Sequence, residues 1–319
     1  VSSGLRIAVA GASGTLGRDV VAVLQERRFP VRELVPFATD RSTGEDVEFL
    51  DDALPVESQA PPLRGFDLLV LCAPPAASLE LVREALRAEV PCIDCSGALA
   101  ASREVPLLVA ELCAPAAALG AAAPRAAGLR RVVGTVLRSA SLGGRSGIEA
   151  LSQETIALLS QRELPDPSVF HAPVAFDCVP TVGERDFAEG VAPGTTLAER
   201  DLVRDLQRLL GRPVPAVASV VQVPTFVGDG SALVVETERA VSGEELPGLF
   251  EKAPGVEAWP RDSVGPTTRD AAGREVALVG QPRPDPSSER GLVLWVAADA
   301  IRMTAVNAVR LAEARLRVH

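Results

Sequence analysis

Apolar residues fall into two patterns in the first hundred positions, short unbroken runs and runs with a helical period, and the two alternate. Leu5 to Ala10 is apolar apart from Arg6 and stops at Gly11. Arg18 to Arg28 then sets Val20, Val21, Val23 and Leu24 on one side of a helical period and charge on the other. Phe29-Pro30-Val31 leads into a second strand that runs to Arg41-Ser42. Phe66 to Ala73 is apolar apart from Asp67, the pattern of a buried parallel strand, and ends at Pro74-Pro75. A helix over 76–88 and a strand from Val90 to Asp94, stopping at Cys95-Ser96-Gly97, follow. This alternation predicts an α/β domain with a doubly wound parallel sheet. Three strands deliver their C-terminal ends to one edge, where such sheets bind ligands.

Beyond residue 110 the pattern changes. Residues 110–127 are alanine-rich and interrupted by Pro115 and Pro124, which reads as a small-residue helix. Strands are predicted at Leu129 to Leu137, Ala218 to Val223, Ala232 to Glu236 and Leu292 to Ala297. Helices are predicted at Ile148 to Leu159, Leu197 to Leu210 and Arg302 to Arg315. Gly143, Gly144 and Gly147 open the first of these helices with a turn that can face an anion. A preponderance of strands predicts an α+β second domain whose mixed sheet lays an apolar face on a second copy, giving a homodimer. The last helix is expected back on the first domain, so the boundaries read 1–109 plus 299–319 for one domain and 110–298 for the other.

Composition narrows the partners. A chain of 319 residues with 47% hydrophobic content can bury two cores. A net charge of −10, from 32 basic and 42 acidic residues, argues against a nucleic-acid surface, because no segment supplies the basic patch that phosphates need. No apolar run approaches the roughly 20 residues of a membrane span, and no signal segment is evident, so a cytoplasmic protein with no membrane partner is expected. The five cysteines, Cys72, Cys92, Cys95, Cys113 and Cys178, are odd in number and dispersed, unlike a secreted disulfide framework. Cys92 and Cys95 match CxxC, but residues three apart on a strand point to opposite faces and no second ligand pair follows, so both read as small packing residues. No metal is expected.

The chemistry begins at Gly11-Ala12-Ser13-Gly14-Thr15-Leu16-Gly17, between the first strand and the first helix. Gly11 permits a turn closed to residues with a Cβ, Gly14 lets backbone approach a pyrophosphate, and Gly17 lets the helix pack on its strand. Free N–H groups at the helix start face the anion. Where a site selecting NAD places an acid on the ribose, this chain has Thr39-Asp40-Arg41-Ser42-Thr43. Arg41 beside hydroxyls suits the 2′-phosphate of NADP, while Asp40 offers an acceptor for the 2′-hydroxyl of NAD.

Five segments together resemble the aspartate-semialdehyde dehydrogenase family. GASGTLG is similar to its GATGAVG loop, and Phe37 to Ser42 to its LASxRS segment. Ile93 to Leu99 resembles IDNSSAF, Ser141 to Glu149 resembles SGAGxxGxEEL, and Leu294 to Asp299 with Asn307 resembles LWVVSDNxRKGAALN. The resemblance implies a Rossmann-like dinucleotide-binding domain joined to a dimerisation and substrate domain of the semialdehyde dehydrogenase type. It also implies NADP-dependent reduction of aspartyl phosphate through a cysteine thioester. The cofactor residues it implies are Gly11, Ser13, Gly14, Thr15, Leu16, Thr39, Arg41, Ser42, Cys72, Ala73, Ser96, Gly97 and Asn307.

The catalytic motifs do not carry over. Neither the family's PEVN nor its nucleophile motif NCS/T stands near Val105 to Cys113. Either a loop was lost or the sequence omits a stretch joined near Val109-Ala110, and the second explanation is preferred. Cys113 reads as a small buried residue. The histidine of RVPVxxGHS is matched by Asp229 and its arginine by Gln222; the glutamine of STYQxVSG is matched by Arg138, and the arginine of SSAFR by Ala100. A carboxylate needs a large upward pKa shift before it can replace imidazole as a base toward a thiol. His171 and His319, the only histidines, match no family site and read as ordinary surface or core residues. Arg302-Met303-Thr304 stands where RKG is expected, and Glu199 lies in a segment only partly similar to TKEEMK. The expectation is an NADP-binding, dimeric relative without the standard catalytic set and with little or no dehydrogenase activity. The alternative is an active enzyme whose nucleophile lies in the missing stretch. Pro74-Pro75, in place of a family Gly-Gly, opens a third reading in which cofactor binding is lost as well.

Overall fold

The computed structural model describes residues 4–39, 44–99, 128–167, 169–180, 182–250, 255–260 and 262–318, and these form two compact units, residues 1–111 with 301–319 and residues 112–300. In the first unit β1 (Leu5–Ala10) leads through the glycine loop into α1 (Thr15–Glu26). Next come β2 (Val31–Phe37), a hairpin of β3 (Asp46–Phe49) and β4 (Asp52–Pro55), β5 (Leu68–Leu71), α2 (Pro75–Ala88) and β6 (Cys92–Asp94). The sheet order is β2-β1-β5-β6, all parallel.

The unbroken apolar runs have a direct cause, since both faces of this sheet are covered. On β1, Ile7 and Val9 join Val20, Val21 and Leu24 of α1, while Ala8 and Ala10 join Val82 and Ala85 of α2. The same alternation splits the CxxC pair, with Cys95 in the first core and Cys92 against the second, as expected for strand geometry. Several boundaries differ from the pattern reading: α1 is Thr15–Glu26 rather than Arg18–Arg28, and β5 is Leu68–Leu71 rather than Phe66–Ala73. β2 ends at Phe37 rather than at Arg41-Ser42, and β6 begins at Cys92, after Pro91, which has no N–H to give a ladder. The β3–β4 hairpin was not predicted, because each strand has four residues and turns only Val47, Phe49 and Leu54 toward the core, too short a sample for periodicity to register.

The second unit contains β7 (Leu129–Arg138), a 3₁₀ turn (Ala140–Gly143), α3 (Gly144–Leu159), α4 (Leu197–Leu210), β8 (Ala216–Gln222) and β9 (Asp229–Thr237). α5 (Leu246–Phe250), β10 (Val256–Ala258), α6 (Thr268–Ala271), β11 (Ala277–Pro284) and β12 (Gly291–Ala298) complete it. Its mixed sheet runs β10-β11-β12-β9-β7-β8, with β7 and β8 parallel and β7, β9, β12 and β11 successively antiparallel. β11 has no counterpart among the predicted strands: Gly280 still pairs with Trp295, Pro282 falls inside a register shift between Gly280 and Arg283, and Pro284 ends the strand. One sheet face packs on α4, where Leu202 meets Val136 and Val220. On the other face Val217, Val133, Val234 and Val293 lie in one register row. The last helix, α7 (Ala300–Leu316), lies from Ile301 onward with the first unit, where Ala305, Val306 and Val309 enter the core of Val9 and Val20. The alanine-rich segment 110–127 lies outside the described residues.

Candidate functional site

At the C-terminal edge of the parallel sheet the glycine loop is built for backbone proximity. Gly11 has φ +72°, and a Cβ there would lie 2.7 Å from the Cys72 carbonyl; one on Gly17 would lie 2.3 Å from the Gly11 oxygen. A Cβ on Gly14 would meet only the Gly11 oxygen, at 3.3 Å. Gly14 is the N-cap of α1 and no side chain caps it, so the N–H groups of the first turn keep their anion-facing role. This is the geometry a dinucleotide pyrophosphate needs, and Ser13, Thr15 and Leu16 lie in the same turn.

The neighbouring strand ends bring up the other predicted residues. Cys72 N–H donates to the Ala10 carbonyl and Cys95 N–H to the Leu71 carbonyl, each at 2.9 Å, extending the ladder to the edge. Asp94 Oδ1 accepts from the Ser96 N–H and its Oδ2 from the Leu99 N–H, both at 2.8 Å, which fixes the Ser96-Gly97 turn. Ala73 accepts a bond from the Ser78 hydroxyl at 3.0 Å. Pro74 is the N-cap of α2 and Pro75 its first residue, positions whose N–H groups a helix does not use, so the prolines cost the helix nothing while removing two donors from this edge. Thr39 is exposed just beyond β2, and Asn307 is half-buried on α7. Arg41 and Ser42, with Asp40, lie outside the described residues, as do Ala100, the Val109-Ala110 junction and Cys113.

The second unit holds the positions matched to catalytic motifs. Asp229, at the start of β9, is buried; its Oδ1 accepts from the Ser139 N–H at 2.7 Å and from the Ser139 hydroxyl at 2.8 Å. The Ser139 hydroxyl in turn meets that of Ser141 at 2.9 Å. Burial pushes the Asp229 carboxyl up to about 6, against the pull of the Ser139 bonds and of the Arg138 charge, and Asp299 adds to the rise. The upward shift that a carboxylate base requires is therefore present.

Arg138 and Gln222 are register partners on the parallel pair β7–β8, and the Gln222 carboxamide donates to the Arg138 carbonyl at 2.8 Å. Two residues back on each strand, Val136 and Val220 face α4, so strand alternation turns Arg138 and Gln222 to that same side. Beyond the α4 contact both line a cavity of about 180 Å³ with Val179, Val182, Phe170 and His171. His171 Nε2 sits 2.9 Å from the Gly183 carbonyl oxygen. Its loop is held from below by buried Glu154 of α3, whose Oε2 accepts from the Val174 and Ala175 N–H groups at 2.7 and 3.0 Å. Nothing in the sequence singled out His171, because its only signal is proximity in three dimensions to residues far along the chain. Glu199 completes a capping box with Thr196 and accepts from the Val220 N–H, so it ties α4 to β8. Among the described residues no group of three or more His, Cys, Asp or Glu could hold a metal ion, and no helix is long and apolar enough to cross a membrane.

Residues 6–119 match the family described as semialdehyde dehydrogenase, NAD binding domain, and residues 119–303 the family described as semialdehyde dehydrogenase, dimerisation domain. The chain belongs to the semialdehyde dehydrogenase family. It is 31% identical to an aspartate-semialdehyde dehydrogenase of Aquifex aeolicus, covering 97% of each chain, and 32% identical to a USG-1 protein homolog of Azotobacter vinelandii, covering 98% of each. The crystal structure of aspartate semialdehyde dehydrogenase II complexed with ASA from Vibrio cholerae superposes with a TM-score of 0.89 at 29% identity, over 100% of both chains. The alignments to the two relatives run over 336 and 340 residues, more than the 319 of this chain, so each relative carries internal residues without a counterpart here.

Proposed function

We propose that this protein is an NADP-binding dimer of the aspartate-semialdehyde dehydrogenase type in which the standard acid–base set has been replaced and little or no dehydrogenase activity remains. The observation that carries the reading is Asp229. In the place of the motif's histidine stands a buried carboxylate whose Oδ1 is occupied by two donors from Ser139, an arrangement that anchors the β7 corner. The glycine loop, the Ser96-Gly97 turn and the residues after β5 form a cradle that suits a dinucleotide, which when bound supplies the hydride-carrying nicotinamide. Gly11, Ser13, Gly14, Thr15 and Leu16 would hold its pyrophosphate. Thr39, Arg41 and Ser42 would hold the 2′-phosphate, and Cys72, Ala73, Ser96, Gly97 and Asn307 would line the remainder. Dimerisation is supported by the valine row on the free face of the second unit's sheet.

A second reading has its own support. The Asp229 carboxyl, raised to about 6, has the basicity for proton transfer near neutral pH, and the relatives' extra internal residues agree with a nucleophile-bearing stretch absent near 109–110. An assay of purified protein with aspartate semialdehyde, phosphate and NADP separates the two. Absence of turnover, with NADPH binding visible by fluorescence titration, is expected. Turnover within a few decades of ordinary enzyme rates would overturn the first reading in favour of the second.

A further inference from the structure

The CxxC motif brings two thiols close in sequence, but the sheet separates them and gives one of them a different neighbour. Cys92 packs against the core on one face of the first unit's parallel sheet, and Cys95 lies in the core on the other. Burial, reinforced by the Asp94 charge, pushes the Cys92 thiol up and makes it a poor nucleophile. Cys95 belongs instead with Cys72. Leu69, Val70 and Leu71 of β5 are register partners of Cys92, Ile93 and Asp94 of β6. One step further on, Cys72 falls beside Cys95, and the bond from the Cys95 N–H to the Leu71 carbonyl at 2.9 Å carries the parallel spacing that far. Strand alternation puts both side chains on the face of Val70 and Ile93, and both join the core of that face. Neighbouring strands run roughly 4.8 Å apart, inside the range of about 4.4–6.8 Å that the Cα atoms of a disulfide span. The two Cβ atoms point the same way and need close only slightly, and both residues lie just past the last paired positions, where the strand ends can pivot. Cys95 stands where the IDNSSAF pattern has asparagine, so that motif does not supply the pair.

Both thiols adjoin turns at the sheet edge. The Cys72 backbone abuts Gly11, on which a Cβ would lie 2.7 Å from the Cys72 carbonyl, and Cys95 immediately precedes the Ser96-Gly97 turn that Asp94 fixes. We propose that Cys72 and Cys95 form a peroxide-sensitive dithiol, whose oxidation to a disulfide slackens the grip of the two adjoining turns on a dinucleotide. Cys72 is half-buried and Cys95 buried, so a small oxidant meets Cys72 first. Its thiolate attacks hydrogen peroxide, the O–O bond breaks, and Cys72 becomes a sulfenic acid with release of water. The Cys95 sulfur then attacks that of Cys72; the S–S bond forms, the S–O bond breaks, and hydroxide leaves with the Cys95 proton as a second water. Two thiols are oxidised and one peroxide is reduced. Any hydrogen bond the Cys95 sulfur makes in the reduced chain is weak beside the covalent bond that replaces it. The effect on a dinucleotide rests on the functional reading above, whereas the bridge itself does not.

The test treats the full-length protein with hydrogen peroxide, alkylates the remaining thiols, and maps the digested peptides by mass. The peptides holding Cys72 and Cys95 should be joined, with two thiols fewer per chain, and dithiothreitol should restore both. C72A and C95A should each abolish that bridge. Should either variant fail to fold, the peptide map of the unaltered protein decides the point by itself. In fluorescence titration the bridged protein should bind NADPH at least about fivefold more weakly than the reduced protein, the low end of ordinary coupling between sites, and dithiothreitol should reverse the change. Linkage is reciprocal, so saturating NADPH should disfavour the bridge by the same factor in a glutathione redox buffer. A bridge to Cys92, Cys113 or Cys178 in place of this pair, oxidation of Cys72 that stops at the sulfinic acid, no loss of thiols, or equal NADPH affinity of the reduced and bridged forms would each overturn the proposal. A reduced protein that binds no NADPH would sink the dinucleotide reading instead, and the bridge would then stand or fall on the peptide map.

Discussion

A carboxylate at position 229 makes the fold sensitive to pH in a window set by its burial. An unfolded aspartate titrates near 3.9, whereas in the folded chain burial raises Asp229 to about 6. Between those values the native state holds more protons than the unfolded one, so the contribution of this group to stability is complete below about pH 4 and is lost as pH rises through 6. The loss amounts to roughly 2–3 kcal/mol by pH 7. Asp229→Asn keeps an oxygen that can accept from Ser139 and carries no charge. Urea unfolding at pH 4 and at pH 7 should therefore show the variant gaining on the parent protein by that amount across the interval, and a difference that stays flat with pH would refute the assignment. Arg41 carries the other prediction at this scale. Arg41→Ala should weaken NADP binding more than NAD binding, and equal weakening would show that the guanidinium does not meet the 2′-phosphate.

At the scale of elements, the turn into α1 depends on two backbones touching. A methyl group on Gly17 would stand 2.3 Å from the Gly11 carbonyl oxygen, a backbone atom with no rotamer to escape into. Gly17→Ala should therefore shift the loop and lower NADPH affinity at least tenfold in fluorescence titration, with helix content by circular dichroism close to the parent's. Unchanged affinity would mean the cofactor does not rest on this turn. The turn and the strands around it were legible in the sequence because the apolar runs of β1 and β5 are buried on both faces and end at glycine or proline. What stayed hidden has a physical cause in each case. The β3–β4 hairpin is too short to show a period, and β11 carries its prolines at an outer end where they do little harm. The pairing of Arg138 with Gln222 joins residues 84 apart, and His171 reaches their cavity on a loop pinned by Glu154. Motif comparison finds such positions one at a time, and only strand register shows that they are neighbours. Likewise, the sequence shows that Asp229 is acidic, but its raised pKa follows from burial that only the fold reveals.

For the whole molecule, the proposed dimer would form through the free face of the second sheet. Across β8, β7, β9 and β12 the register aligns Val217, Val133, Val234 and Val293, and the next row brings Ser219, Thr135, Ala232 and Trp295 to the same side. Val217 is 54% and Val234 36% exposed, so the row is an apolar stripe open to solvent on a face that α4 does not cover. A contiguous stripe of this kind carries a standing cost in water that a second copy removes, and a twofold contact pairs the stripe with itself. The domain's family description agrees with that use of the surface. A glutamate at Val234 would place two like charges near the centre of such an interface, where neither can be hydrated. Sedimentation at micromolar concentration should give twice the chain mass for the parent protein and the chain mass for Val234→Glu, with secondary structure retained because the side chain points away from the core. A parent protein that sediments as a monomer, or a variant that remains dimeric, would place the contact elsewhere.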